Sequence, residues 1–231
     1  MQLQSPRIEI RRSLPNQKWT YADLDARQRV IAAEVRDTRA PGALLFSEVA
    51  PVITYGRRTA ATDLHLTPEQ AEQAGVQLLP VDRGGMATYH GTGQWVVFPV
   101  DTLSRLVGDS RGVRKVVEAL LESVAKTARE VVGPENAPSI QVKEGCETGV
   151  WWSHRKIASV GIHIQDGVLH HGLALNGFAT PQSFVGLRPC GLDAEVGYLL
   201  PTPDEVRFLQ IRDLLEKNLL ATLWRTPLNA D

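Results

Sequence analysis

The sequence predicts an α+β domain, and three observations carry that expectation. Apolar residues recur at helical spacing in well-separated segments, short runs rich in strand formers lie between them, and residues 157–176 hold two alternating runs around Asp166-Gly167. In chain order, residues 20–39 place Leu24, Val30, Ile31, Ala33 and Val35 at helix period and stop before Pro41-Gly42. Residues 43–46 and 52–55 read as strands. Thr67 can cap a short helix, with Pro68 in its first turn and Gly75 at its end. Strands follow at 77–81 and 95–100. A longer helix over about 112–132 carries Val116, Val117, Leu120, Leu121 and Val124 along one side and stops at Gly133-Pro134. The last helix is expected to start at Thr202, where Thr202 and Glu205 form a capping-box pattern.

The hairpin can be read residue by residue. With Asp166-Gly167 as a two-residue turn, Gln165 pairs with Val168, His163 with His170, Gly161 with Gly172, and Ser159 with Ala174. Side chains alternate along a strand, so Ser159, Gly161, Gly172 and Ala174 form a patch of very small residues on one face, bordered by two histidines. The opposite face carries Ala158, Val160, Ile162 and Ile164 against Leu175, Leu173, His171 and Leu169. Volume above the small patch is open to a second backbone element or to a ligand.

Composition narrows the function classes. The 231 residues balance 25 Lys+Arg against 26 Asp+Glu, a net charge of -1, which argues against a general nucleic-acid binder. No apolar run approaches a membrane span, the start has no secretory apolar stretch, and Cys146 and Cys190 do not make a disulfide framework. A cytoplasmic protein with one domain over residues 1–231 is the expectation. No Cys-x-x-Cys or His-Glu-x-x-His spacing occurs, and alternation sends His170 and His171 to opposite faces, so no metal is expected.

Three segments hold candidate chemistry. Residues 83–94, with four glycines, let backbone N–H groups approach a ligand but lack the lysine and hydroxyl residue of a phosphate-binding P-loop. Pro189-Cys190-Gly191 presents a thiol that can attack a carbonyl, although a lone cysteine more often behaves as a small hydrophobe. Cys146 has acidic neighbours, which disfavour a thiolate. Lys156 enters the hairpin beside Trp151 and Trp152, but strict alternation puts it on the face opposite Ser159 and Gly161. It reaches the small patch only through a bend or bulge.

Together, Thr54-Tyr55-Gly56-Arg57, Arg83-Gly84-Gly85, Thr88-Tyr89-His90-Gly91, Gly93-Gln94, Gly149-Val150-Trp151, the run from Lys156 to Gly161, His171-Gly172-Leu173-Ala174-Leu175-Asn176 and Pro189-Cys190-Gly191 resemble the octanoyltransferases of lipoate biosynthesis, the lipoate-protein ligase B family. The resemblance covers about residues 20–200. It implies a biotin/lipoate-protein-ligase-like catalytic domain, a mixed sheet with packed helices plus a smaller sheet. It also implies transfer of an octanoyl group from acyl carrier protein to a lysine of lipoyl domains, those of 2-oxoacid dehydrogenases and the glycine cleavage H protein, with no cofactor. By the same resemblance Cys190 carries the acyl group as a thioester and Lys156 is its acid/base partner. The acyl site is formed by Arg83, Gly84, Gly85, Met86, Ala87, Thr88, Tyr89 and His90, by Ser159, Val160 and Gly161, and by Gly172, Leu173 and Ala174. Arg57, Arg58, Arg83 and Arg155 are candidate docking charges for acidic carrier domains, and N–H groups near Gly191 or Gly84-Gly85 candidate oxyanion donors. The chain departs from the family pattern at Met86, at Thr92, where proline is usual, and over residues 195–199. Two rival readings are an ATP-dependent lipoate or biotin-type ligase and a non-catalytic acyl-binding relative.

Overall fold

The computed structural model describes residues 8–13, 18–38, 40–56, 59, 64, 66–187 and 195–224. Their strands are β1 (Glu9–Arg12), β2 (Ala43–Ser47), β3 (Val52–Tyr55), β4 (Gln77–Pro80), β5 (Thr88–His90), β6 (Gln94–Val100), β7 (Ile140–Lys143), β8 (Gly149–Trp152), β9 (Arg155–Gln165), β10 (Val168–Asn176) and β11 (Glu195–Val196). The helices are α1 (Tyr21–Thr38), α2 (Pro68–Gln73), α3 (Leu103–Val107), α4 (Val113–Val132) and α5 (Glu205–Thr222). The main sheet runs β1-β2-β6-β10-β9-β8-β7, with β11 parallel to β9, and a smaller sheet runs β4-β3-β5. Antiparallel pairs dominate, joined by the parallel pairs β1–β2 and β3–β4. This is the expected mixed architecture.

Strand alternation sorts the core into two layers. Leu44, Phe46, Trp95, Val97, Leu169, Leu173 and Leu175 face α4 and α5, meeting Val116, Leu120, Val124, Phe208, Ile211 and Leu215. Ala43, Leu45, Val96, Phe98, Val100 and Val168 face α1, meeting Tyr21, Leu24, Ile31 and Val35. Burying each large aliphatic chain contributes about 1.5–3 kcal/mol. A third cluster of Ile53, Val76, Ala87, Tyr89 and Leu187 fills the smaller sheet. The Thr67–Gln70 capping box starts α2, and Gly133, at φ +78°, ends α4.

The 157–176 hairpin adopts the expected register from Gln165↔Val168 through Ser159↔Ala174. His171 departs from the expected facing. Its φ is +59°, its backbone N–H donates to Gln28 Oε1 at 2.7 Å, and its ring meets Tyr21 and Phe98 on the α1 side. Extending the β6–β10 register from Leu173↔Val97 sets Pro99, which has no N–H, opposite His171. The β6–β10 pairing ends at Leu173, and Gln28 on α1 accepts the His171 N–H. His170 also lies on the α1 side, beside Arg29 and Ala33, so the two histidines do not point to opposite faces. Among the described residues no group of three or more His, Cys, Asp or Glu could hold a metal ion.

The small-residue patch is closed in part by backbone. A Cβ on Gly172 would stand 2.3 Å from Val97 O, and one on Gly161 would stand 3.2 Å from both Gly84 O and Arg83 Cδ. These two glycines admit neighbouring chain, while Ser159 and Ala174 leave the open volume. Gly172→Ala is therefore expected to lower stability by about 2–3 kcal/mol, roughly 4–12 °C in a thermal melt, and an unchanged melting temperature would contradict the close approach.

The start of α5 also differs from expectation. Asp204, not Thr202, is the cap, its carboxylate accepting from Arg207 N at 3.0 Å. Leu199 and Leu200 donate their N–H groups to Asn176 O and Gly177 O, holding the chain against the sheet until just before that point.

Candidate active site

The site grows from one strand irregularity. β8 pairs Val150 with Ala158 but Trp151 with Lys156, so Ile157 is an extra residue in β9. Ile157 and Ala158 consequently both face the α4–α5 core, and Lys156 moves onto the face that carries Ser159 and Gly161. The bulge that strict alternation demanded is present. Lys156 is 4 % exposed, and its Nζ lies 5.7 Å from the Trp151 ring centroid. Gly149 makes room for it, since a Cβ there would fall 2.5 Å from Lys156 Cε.

The same face carries a groove of about 420 Å³, open mouth included, lined by Arg83, Gly84, Gly85, Met86, Thr88, His90, Ser159, Val160, Gly161, Gly172, Leu173 and Ala174 together with Tyr21 and Phe98. Tyr21, Phe98, His90 and Ala174 are buried, whereas Gly84, Gly85, Met86, Ser159 and Gly161 are half-exposed, so the groove has a closed inner wall and an open side. Val160 and Leu173 pack their side chains on the α4–α5 side and meet the groove through their backbone. Ala87 and Tyr89 alternate away into the smaller-sheet core and do not line it. Lys156 is not among the lining residues, and Cys190 lies outside the described residues, as do Arg57 and Arg58. Cys146 is exposed.

Arg83 staples the loop rather than offering a docking charge. It is 7 % exposed, and its guanidinium donates to Thr54 O at 2.9 Å, Thr54 Oγ1 at 2.7 Å, Met86 O at 2.8 Å and Gly84 O at 3.0 Å. The Gly84 N–H donates to Ile162 O at 2.9 Å, which removes it as an oxyanion donor. Arg155 is exposed and paired with Glu195 at 2.9 Å. Thr92 Oγ1 accepts from Lys18 Nζ at 3.0 Å, a bond that proline could not make. Within the departing stretch 195–199, Glu195 and Val196 form β11, and Val196 aligns with Lys156.

Two polar networks border the groove. Tyr21 donates its hydroxyl to His171 Nδ1 at 3.2 Å, and His171 Nε2–H donates to Asp82 at 2.9 Å. In the second, His90 Nδ1 lies 2.8 Å from Gln94 Oε1, Gln94 Nε2 donates to Asn176 Oδ1 at 2.8 Å, and Asn176 Nδ2 donates to Gly197 O at 3.0 Å and Lys156 O at 3.4 Å. Tyr21 and Phe98 escaped the sequence reading because a buried aromatic on a helix or strand reads as core. Gln94 and Asn176 become visible as partners only once β6 is known to pair β10.

Burial sets the charge states. Desolvation lowers His90 to about 3 and also lowers His170 and His171. Desolvation alone would raise Asp82, but hydrogen bonds from His171 and Arg29 outweigh it and hold the carboxyl well below its ordinary range. The unfolded chain binds protons near pH 6.5 that folded His90 refuses until about 3, so stability falls as pH falls through that window. The expected slope is about 1.4 kcal/mol per pH unit for His90 alone. Guanidinium unfolding at about pH 7 and pH 5 reads this directly, and equal midpoints would contradict a neutral buried His90.

The lipoyl protein ligase A/B catalytic domain family matches residues 20–219. An octanoyltransferase of Bdellovibrio bacteriovorus is 34% identical over 221 residues, covering 90% of this chain and 97% of that one. An octanoyltransferase of Rhodococcus opacus is 33% identical over 172 residues, 74% of this chain and 64% of that one. The chain thus spans less than two thirds of the length of some curated relatives. A solved lipoate-protein ligase A bound with ATP superposes with a TM-score of 0.63 at 16% identity, covering 94% of this chain and 85% of that one, a likeness of fold. No helix among the described residues is long and apolar enough to cross a membrane.

Proposed function

Because this chain belongs to the lipoyl protein ligase A/B catalytic domain family, we propose that it transfers an octanoyl group from acyl carrier protein to a lysine of a lipoyl domain through a thioester on Cys190. The observation that carries the reading is the groove. A mostly apolar groove with a closed inner wall, floored by small strand residues, lies on the face onto which a bulge has turned a buried lysine. The names of relatives at 33–34% identity support it.

The chemistry follows in two exchanges. The Cys190 thiolate, stabilised by the Lys156 ammonium, attacks the carrier thioester, the C–S bond to the carrier breaks, and the carrier sulfur takes the Lys156 proton and leaves as a thiol, so that Lys156 becomes neutral. Thioester for thioester is close to energetically neutral, so no nucleotide is required. The lipoyl-domain amine then attacks the octanoyl carbonyl, Cys190 leaves as thiolate, and neutral Lys156 takes the amine proton. Acceptors of this kind include lipoyl domains of 2-oxoacid dehydrogenases and the glycine cleavage H protein, and the reaction belongs in the cytoplasm.

Intact mass spectrometry after incubation with octanoyl-acyl carrier protein tests the reading, and one octanoyl adduct that disappears on adding a lipoyl domain is the expected result. The rival is an ATP-dependent ligase, and the ATP-bound structural neighbour shares the fold. Pyrophosphate release from ATP and free octanoate, with no adduct from the carrier protein, would replace the first reading with the second.

A further inference from the structure

The orientation of each amide in the second network can be deduced. Asn176 Nδ2 faces two backbone carbonyls, Gly197 O and Lys156 O, so it must be the amide nitrogen that points there. Its Oδ1 then accepts from Gln94 Nε2, which also donates to Tyr89 O at 3.3 Å. Gln94 is left presenting Oε1 to His90, 2.8 Å from Nδ1. An oxygen facing Nδ1 requires the proton there, and the neutral ring therefore has a bare lone pair on Nε2. Nε2 is fully buried and has no hydrogen-bond partner among the described residues, although His90 lines the groove. Tyr21 stacks on the same ring, with centroids 5.1 Å apart, and fixes its plane.

An octanoyl chain has no donor to give that nitrogen. In the reaction proposed above, on which this inference rests, the incoming lysine amine does. We propose that His90 Nε2 is a preset hydrogen-bond acceptor for the acceptor lysine's amine during its attack on the octanoyl thioester. The network that fixes the tautomer ends on the Lys156 carbonyl, so both groups that handle the amine's hydrogens are anchored to one hydrogen-bonded chain. In the step, the C–N bond forms and the C–S bond breaks, Cys190 leaves as thiolate, and one amine proton passes to neutral Lys156. The other N–H points at His90 and remains as the amide hydrogen, which directs the nitrogen lone pair toward the carbonyl. His90 stays neutral throughout, a demand met by its burial.

The test separates the two exchanges. His90→Asn keeps a donor to Gln94 and deletes the Nε2 position, whereas His90→Gln restores an oxygen near it. Loading is read as octanoyl-enzyme formed from octanoyl-acyl carrier protein, and discharge as its loss to a lipoyl domain. His90→Asn is expected to slow discharge about 10-fold more than loading, with His90→Gln recovering part of the discharge rate. Equal slowing of both, or no slowing of discharge, overturns the inference. Ring ¹⁵N shifts of the wild-type protein decide independently of whether the variants fold: protonated Nδ1 and bare Nε2 are expected, and the opposite tautomer overturns the inference. If no octanoyl adduct ever forms on the wild type, the proposed function fails instead, and the tautomer measurement still stands.

Discussion

Replacing Cys190 by serine is expected to abolish the octanoyl-enzyme adduct and to reduce transfer to a lipoyl domain by on the order of 10⁴-fold or more. The reason lies in the nucleophile. A thiol near its ordinary pKa of about 8.5 is brought within range of neutral pH by one adjacent cation, whereas a hydroxyl is not. The leaving group matters equally, since an oxygen ester formed from a thioester discharges less readily to an amine than the thioester it replaces. Downstream in sequence, β11 pairs with β9 and sets Val196 alongside Lys156. Intact mass spectrometry gives the adduct and a lipoyl-domain gel shift gives the transfer. Full transfer by Cys190→Ser would remove the thioester from the mechanism and leave direct attack of the lysine amine on the carrier thioester.

Much of this site could be read from short-range pattern. Asp166-Gly167 between alternating runs specified the hairpin register, and that register brought Ser159 opposite Ala174. The glycine-rich segment and the hairpin's small face meet in the groove, which the family resemblance implied and the pattern of either segment alone did not. What could not be read are the places where a local rule gives way to a tertiary one. The bulge at Ile157 turns Lys156 over because β8 and β9 pair out of step, and nothing in the sequence near residue 157 announces it. His171 adopts a positive φ and gives its N–H to Gln28 on α1 just where the β6–β10 pairing stops, a contact between residues 143 positions apart. Arg83 looks like a surface charge until Thr54, Met86 and Gly84 close on it as acceptors. β1 is only four residues, three of them charged, and is a strand because β2 offers a free edge. Arg12 ties it across to Glu216 on α5.

The second large effect is expected at Lys156, and two substitutions separate its chemistry from its packing. Lys156→Met keeps the length of the side chain and removes the charge. The site is 4 % exposed, so a thermal melt of this variant reads the packing separately from the chemistry. Transfer should fall by about 10²–10⁴-fold, because methionine neither stabilises a thiolate nor accepts a proton. Lys156→Arg keeps the charge but adds volume where Gly149 already had to lose its Cβ, 2.5 Å from Lys156 Cε, so this variant should be both less stable and inactive as a base. Thiol alkylation of Cys190 against pH gives a signature that misfolding alone cannot mimic. Its midpoint should rise toward about 8.5 in Lys156→Met, and stay low in any Lys156→Arg that folds. An unchanged alkylation midpoint together with undiminished transfer in Lys156→Met would separate the lysine from the thiol, and the bulge at Ile157 would then serve the sheet rather than the reaction.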